Sequence, residues 1–196
     1  MFRVSEVEAF RQWRDDEEAD LERLLAQLTW NGEESEAMRV GTAFHKALEL
    51  ASDGESDSIE AMGYTFKFPS DIEISIPEFR EFRLSKVYHV DGHAVTITGQ
   101  VDGLHGLRIE DHKTTRRFDA DRYMAGYQWR LYLDIFKANH FRWNIFEIAD
   151  VDGEYYEVKS LHKLDQYRYP AMTADCESLV ADFHRFVRQH LPQRAA

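Results

Sequence analysis

Gly99 to Thr114 reads GQVDGLHGLRIEDHKT, and this stretch decides how the remainder of the chain is read. Val95 and Ile97 lead into it with strand alternation, His105-Gly106 supplies a turn, and Leu107-Arg108-Ile109 leads out, so it predicts a β-hairpin. Pairing across that turn sets Asp102 opposite Ile109. Asp111 is then the diagonal neighbour of Asp102 on the same face, roughly 7–8 Å away. Two carboxylates so placed reach one divalent cation, because Mg²⁺ takes oxygen ligands at about 2.0–2.1 Å. Lys113 follows two residues after Asp111 and, by strand alternation, shares its face. An ammonium beside a metal held by two carboxylates suits phosphodiester hydrolysis, where it orients or helps deprotonate the attacking water and offsets charge developing on the phosphate.

Working outward, Ser5 to Leu28 reads as a helix opened by a Ser5-x-x-Glu8 capping box, with Phe10, Trp13, Leu21, Leu24, Leu25 and Leu28 at helical spacing. A second helix runs from about Ser35 to Ala51 through Gly41-Thr42-Ala43-Phe44-His45, with His45 and Glu49 on one face. Asp53 to Ser58 is a polar loop. Strands are expected at Tyr64–Phe68, Ile72–Ile76 and Phe82–Val90, and Asp91-Gly92 turns the chain into Ala94–Leu104. The V-D-G triplet also occurs at Val90-Asp91-Gly92 and Val151-Asp152-Gly153, where turn chemistry accounts for it. A third helix spans Phe118 to Ala138, with Asp119 or Asp121 near its N-cap and Gln128 and Tyr132 one turn apart. A hairpin around Asp152-Gly153 and a helix over Thr173–His190, carrying Phe183, Phe186 and Val187, complete the order α-α-β-β-β-β-α-β-β-α.

Four motifs along this order resemble the PD-(D/E)XK nuclease superfamily, most closely its RecB-like exonuclease branch. Gly99-Gln100-Val101-Asp102 matches a G-x-x-D strand, and Ile109-Glu110-Asp111-His112-Lys113-Thr114 matches an I-x-D-x-K-T strand. Gly41 to His45 is similar to the family's G-x-x-x-H helix motif, and YMAGYQWRLY to its Q-x-x-x-Y helix motif. The resemblance implies an α/β fold with a restriction-endonuclease-like αβββαβ core, a central mixed sheet flanked by helices, in one domain over residues 1–196. It implies one or two Mg²⁺ or Mn²⁺ ions held by Asp102, Asp111, the backbone carbonyl of His112 and His45. It further implies Lys113 and Gln128 as catalytic residues beside the two aspartates, with Gln128 and Tyr132 contacting substrate. A neutral imidazole suits Mn²⁺ better than Mg²⁺.

Composition bounds these expectations. The 196 residues are 43% hydrophobic, enough for a folded core. No apolar run approaches the roughly 18 residues of a membrane span, and the start lacks the layout of a secretory signal, so a soluble, intracellular, cytoplasmic protein with no membrane partner is expected. The single Cys176 excludes an intrachain disulfide and a four-cysteine iron–sulfur cluster, a departure from those RecB-like nucleases that carry one. The net charge of −12 is the wrong sign for a surface that grips nucleic acid everywhere. Basic residues gather instead around the site as Lys113, Arg116, Arg117, Arg122 and Arg130, and Arg116 and Arg117 are candidate DNA contacts.

His89 and His93, four apart across a turn, lack a second ligand pair for zinc. No phosphate-binding G-x-x-x-x-G-K-[ST] loop occurs, so any motor activity belongs to a partner. The expected activity is a metal-dependent DNA nuclease, a RecB-like exonuclease of recombination or repair, cellular or viral. The expected partners are DNA and either further copies of the chain or a recombination or helicase protein. The alternatives are a structure-selective endonuclease of the junction-resolvase type and a non-catalytic nucleic-acid-binding module that keeps the nuclease fold.

Overall fold

The computed structural model describes residues 1–29, 31, 34–51, 57–72, 77 and 79–195. A two-residue strand, β1 (Phe2–Arg3), runs straight into α1 (Val4–Asp15), and α2 (Leu21–Leu28) follows after a break. The expected continuous helix from Ser5 to Leu28 is therefore two helices. Asp16 accepts from Glu18 N at 3.0 Å, and Asp20 caps α2 by accepting from Glu22 N at 2.8 Å. Short acidic side chains of this kind compete with the helical ladder for backbone donors. The Ser5/Glu8 capping box is not formed either: Ser5 lies inside α1, and Glu6 accepts from Arg3 N at 2.7 Å.

Helix α3 (Glu36–Leu50) forms as expected, its N-cap Ser35 accepting from Met38 N at 3.2 Å. Strands β2 (Ser58–Ala61) and β3 (Tyr64–Lys67) then pair antiparallel around Met62-Gly63, a hairpin of which the sequence reading anticipated only the second strand. The strand expected at Ile72–Ile76 and the loop at Asp53–Ser58 lie mostly outside the described residues. Next come β4 (Phe79–Val90) and β5 (His93–His105), an antiparallel pair whose Asp91-Gly92 turn has φ of 50° and 77°. Positive φ at both central residues is what a two-residue type I′ hairpin requires.

After β6 (Arg108–Thr115) the crossover consists of α4 (Ala120–Ala125) and α5 (Gln128–Phe136), where one helix was expected. Asp119 caps α4 as anticipated, accepting from Asp121 N at 3.1 Å, but Gly126 is extended and ends it. Strands β7 (His140–Asp150) and β8 (Tyr155–Tyr167) form the last hairpin, and α6 (Met172–His190) and α7 (Pro192–Ala195) close the chain. The strands make one eight-stranded mixed sheet in the order β1-β5-β6-β7-β8-β3-β2, with β4 along the remaining edge of β5. β6 and β7 run parallel because α4 and α5 carry the chain back between them. The expected mixed α/β class and αβββαβ core are thus present as α3, β4, β5, β6, α5 and β7.

Alternation along β7 shows how the sheet is covered. Phe141, Trp143 and Ile145 pack with Val7 of α1, Leu131 of α5 and Phe183 of α6. Phe146 and Ile148 turn the other way, onto Phe44 and Ala47 of α3 and Phe66 of β3. Among the described residues no helix is long and apolar enough to cross a membrane.

Candidate active site

The β5/β6 hairpin pairs His105 with Arg108, Leu104 with Ile109 and Gly103 with Glu110, so its turn is Gly106-Leu107 rather than His105-Gly106. Gly106 takes φ of 55°, which a residue without Cβ adopts freely. The register is therefore two residues away from the expected one. Carried one step further it would bring Asp102 opposite Asp111, not opposite Ile109. The backbone ladder stops before that step, and the Asp102 carboxylate itself accepts from His112 N at 2.6 Å. The two strands separate here, and the separation opens the site.

A second feature of β5 fixes the helix beyond it. A Cβ placed on Gly99 would lie 2.8 Å from Tyr132 Cε1, so the G-x-x-D glycine leaves room for the tyrosine of Q-x-x-x-Y. Tyr132 also stacks on Phe141, at 6.0 Å and 10°. Gln128, at the first turn of α5, donates from Nε2 to Asp111 Oδ1 at 3.2 Å. The N-terminus of α5 is anchored from α1, where buried Glu8 accepts from Tyr127 N at 2.7 Å. Glu8, read from sequence as a local cap, is thus a long-range one.

Asp111 is 2% exposed. Lys113 presses its ammonium against Asp111 Oδ2, so that each oxygen of this carboxylate has one partner, Gln128 on Oδ1 and Lys113 on Oδ2. Burial pushes Asp111 up to about 6, with the Asp102 charge adding and Lys113 opposing. On Asp102 burial acts in the same direction but is outweighed by His45 and Lys113, which hold the carboxyl well below the usual range. His45 reaches in from α3, its Nδ1 3.3 Å from Asp102 Oδ2; burial lowers it, and Asp102 overcomes this and leaves it raised. Lys113 behaves likewise, lowered by burial and raised more by Asp111 and Asp102. It also lies 5.5 Å from the centre of the Trp143 ring. Trp143 was not foreseen, although the β6/β7 register sets it beside Asp111.

The structure therefore brings together Asp102, Asp111, Lys113, Gln128, Tyr132 and His45. The side chain of His112 is buried, 6.0 Å from the Phe146 ring, and its main-chain N donates to Asp102. Arg116 and Arg117 are exposed just beyond β6 with no carboxylate partner among the described residues, and Arg122 is likewise exposed and unpaired. Arg130 is otherwise employed: it donates to Gly126 O at 2.6 Å and lies over the rings of Tyr127 and Trp129.

The donor set fits a hard divalent cation: two carboxylates, one of them buried, and an imidazole in contact with the other. Among the described residues no three His, Cys, Asp or Glu side chains converge as a ready-made cage. The carboxylates are turned instead to the cations of the chain itself, Asp111 to Lys113 and Asp102 to His45.

No family model matches the chain, and no curated protein matches it by sequence. Solved structures do resemble it. The crystal structure of SSO0001 is 15% identical with a TM-score of 0.53, the match covering 93% of this chain and 73% of that one. LHK-Exo, solved in complex with dAMP, is 13% identical with a TM-score of 0.50, over 99% of this chain and 92% of that one. At such identities the likeness is one of fold, and the chain has a nuclease-like fold.

Proposed function

We propose that the chain is a metal-dependent deoxyribonuclease hydrolysing phosphodiester bonds, most specifically a RecB-like exonuclease of DNA recombination or repair. The observation that carries this is the meeting of Asp102, Asp111 and Lys113 where β5 and β6 part, with the buried Asp111 pushed up to about 6 despite its ammonium partner. Asp102, Asp111, His45 and the carbonyl of His112 would hold Mg²⁺ or Mn²⁺. A bound divalent cation supplies Lewis acidity toward the phosphate and the attacking water.

The protein's own groups do the remainder. Lys113, its pKa raised by Asp111 and Asp102, remains an ammonium at neutral pH. Its role is accordingly to donate to the attacking water and the scissile phosphate and to offset developing negative charge, not to remove a proton. Gln128 fixes Asp111 through Oδ1, and the packing of Tyr132 on Gly99 fixes α5 and hence Gln128. Arg116 and Arg117 hold backbone phosphates at the exit of β6. The likeness to LHK-Exo supports the exonuclease form of this reading.

Labelled linear duplex, single strand and closed circle, each incubated with Mg²⁺, Mn²⁺ or neither, test it. Degradation of linear DNA alone, dependent on metal, is the expected result. Cleavage of the circle would replace exonuclease by endonuclease, and no cleavage of any substrate with either metal would overturn the enzyme reading.

A further inference from the structure

A row of rings leads outward from Lys113, and the catalytic constellation makes no use of it. Trp143, under the Lys113 ammonium, meets Tyr123 at 5.6 Å. Tyr123 faces Phe118 at 6.5 Å with only 17° between the ring planes, and Phe118 stacks on His162 at 3.9 Å and 2°. Trp143 is core, but Tyr123, Phe118 and His162 are only partly buried, and the His162 side chain keeps 31% of its exposure. Three surface rings held nearly parallel present π faces in the orientation that successive nucleobases adopt, and base–aromatic stacking is indifferent to sequence.

Charge on the same rim has the matching sign. Arg116 and Arg117 immediately precede Phe118, Arg122 immediately precedes Tyr123, and all three are exposed without a carboxylate partner among the described residues. Of the acids nearby, Asp119 caps α4 and Glu147 accepts from Ser160 Oγ at 3.3 Å and contacts His162 Nε2 at 3.2 Å, while Asp121 is exposed beside Arg122. On a chain of net charge −12, guanidinium groups free to hold phosphates beside aligned rings are a local exception.

We infer that Tyr123, Phe118 and His162 form a stacking track for single-stranded DNA, with Arg116, Arg117 and Arg122 holding its phosphates, so that the strand threading past Lys113 is unpaired. The inference rests on the nuclease reading for its direction, toward Lys113, but the track itself is a binding surface and is measurable without cleavage.

The test uses the full chain with Ca²⁺ in place of Mg²⁺ and a short single-stranded oligonucleotide carrying 2-aminopurine, whose emission is quenched on stacking, against a blunt duplex of the same sequence. Phe118→Leu keeps apolar volume and removes a π face, whereas Phe118→Trp keeps the face. Phe118→Leu should weaken single-strand binding about 5- to 100-fold, the size of one lost base–aromatic stack, and abolish the quench, with duplex binding altered less than about twofold. Phe118→Trp should restore both, and Arg116→Ala should lower the salt slope of binding by about one unit. Equal single-strand affinity and quench in the Leu and Trp variants, or equal losses on single strand and duplex, would overturn the track. A chain that cuts linear DNA yet shows either result loses this inference alone. A chain that cuts nothing yet shows the Leu/Trp difference keeps the track and loses the nuclease.

Discussion

Two buried aspartates on either side of the same helix layer have opposite fates. Asp134, on α5, is 3% exposed and receives Lys86 Nζ at 2.6 Å, Thr173 Oγ1 at 2.7 Å, Tyr88 OH at 2.8 Å and Arg168 Nη2 at 3.3 Å. Burial raises it, but the bonds from Lys86, Thr173 and Tyr88 outweigh burial and hold it below the ordinary carboxylate range. Asp111, on β6 and 2% exposed, has Gln128 on Oδ1 and the Lys113 ammonium on Oδ2, and it is pushed up to about 6. Both are closed to solvent, but Asp111 lies deeper and has two donors where Asp134 has four, and Asp134 is the one that ties β4, α5 and α6 together. Perturbed groups short of partners in a cleft are where chemistry is sought first.

The contrast is broken most severely at the structural member. Asp134→Ala strands Lys86, Arg168, Tyr88 and Thr173 around an empty position and should cost about 3 kcal/mol or more in urea unfolding, the range for breaking a buried charge pair. The folded-state pKa of Asp134 lies below its unfolded value of about 3.9, so its contribution is fully present above that pH. The gap between wild type and Asp134→Ala should therefore close as pH falls through the lower, folded value. A gap constant with pH would show that packing, and not the ionised carboxylate, is what Asp134 supplies.

Next in size is Lys113→Ala, which removes one preorganised charge and should lower turnover on DNA by roughly 10²–10³-fold, about 3–4 kcal/mol. Affinity for DNA measured in Ca²⁺ should stay within a few-fold, because the ammonium acts more on the transition state than on the bound strand. Equal losses of binding and turnover would make Lys113 a phosphate anchor, and the mechanism would fall.

What could be read in advance follows from the range of the forces. The Asp102/Asp111/Lys113 grouping and the Asp91-Gly92 hairpin were legible because strand alternation and turn chemistry are local. The hairpin register was misplaced by two residues. That error preserves which face each side chain takes, so the site survived it. The breaks at Asp16–Asp20 and Gly126 were missed because helical spacing continues across them, although Asp20 and Gly126 were themselves the signals. The Asp134 cluster was out of reach: its partners Lys86 and Thr173 are set by tertiary packing, and an aspartate inside an apolar helical stripe carries no local mark of who will meet it. Glu8 is similar, since only the fold brings it to Tyr127 N.

Asp111→Asn sharpens the comparison from the other side, because it should stabilise the metal-free protein. The folded-state pKa of about 6 lies above the unfolded value, so the stability of wild type is complete below about pH 3.9 and is lost as pH rises through 6. Asparagine cannot ionise. The variant should therefore match wild type in acid and exceed it at neutral pH by on the order of 3 kcal/mol at most, about two units at roughly 1.4 kcal/mol each. Mn²⁺ should raise the melting temperature of wild type and leave that of the variant unchanged. A variant less stable than wild type at pH 7 would mean that the Lys113 pair compensates Asp111 fully and that nothing is held in reserve at the site.

The smallest expected effect belongs to Gln128, and it reports on the hydrogen bond that Asp111 receives from a neutral donor. Its Nε2 donates to Oδ1 at 3.2 Å, a bond that favours the ionised carboxylate. Gln128→Ala withdraws that donor while the helix remains anchored by Glu8 on Tyr127 N and by Tyr132 on Gly99. A hydrogen bond to a charged group contributes about 1.5 kcal/mol, so the Asp111 midpoint should move up by about one unit. The shift is measurable from carboxyl ¹³C titration, or from the pH at which wild-type and Asp111→Asn stabilities diverge when both carry the Gln128→Ala change. Gln128→Glu places a like charge against Asp111 and should move the midpoint further in the same direction. An unmoved midpoint in both variants would leave Gln128 as packing at the end of α5, and Asp111 would then contrast with Asp134 still more sharply, with the Lys113 ammonium as the partner that sets its ionisation.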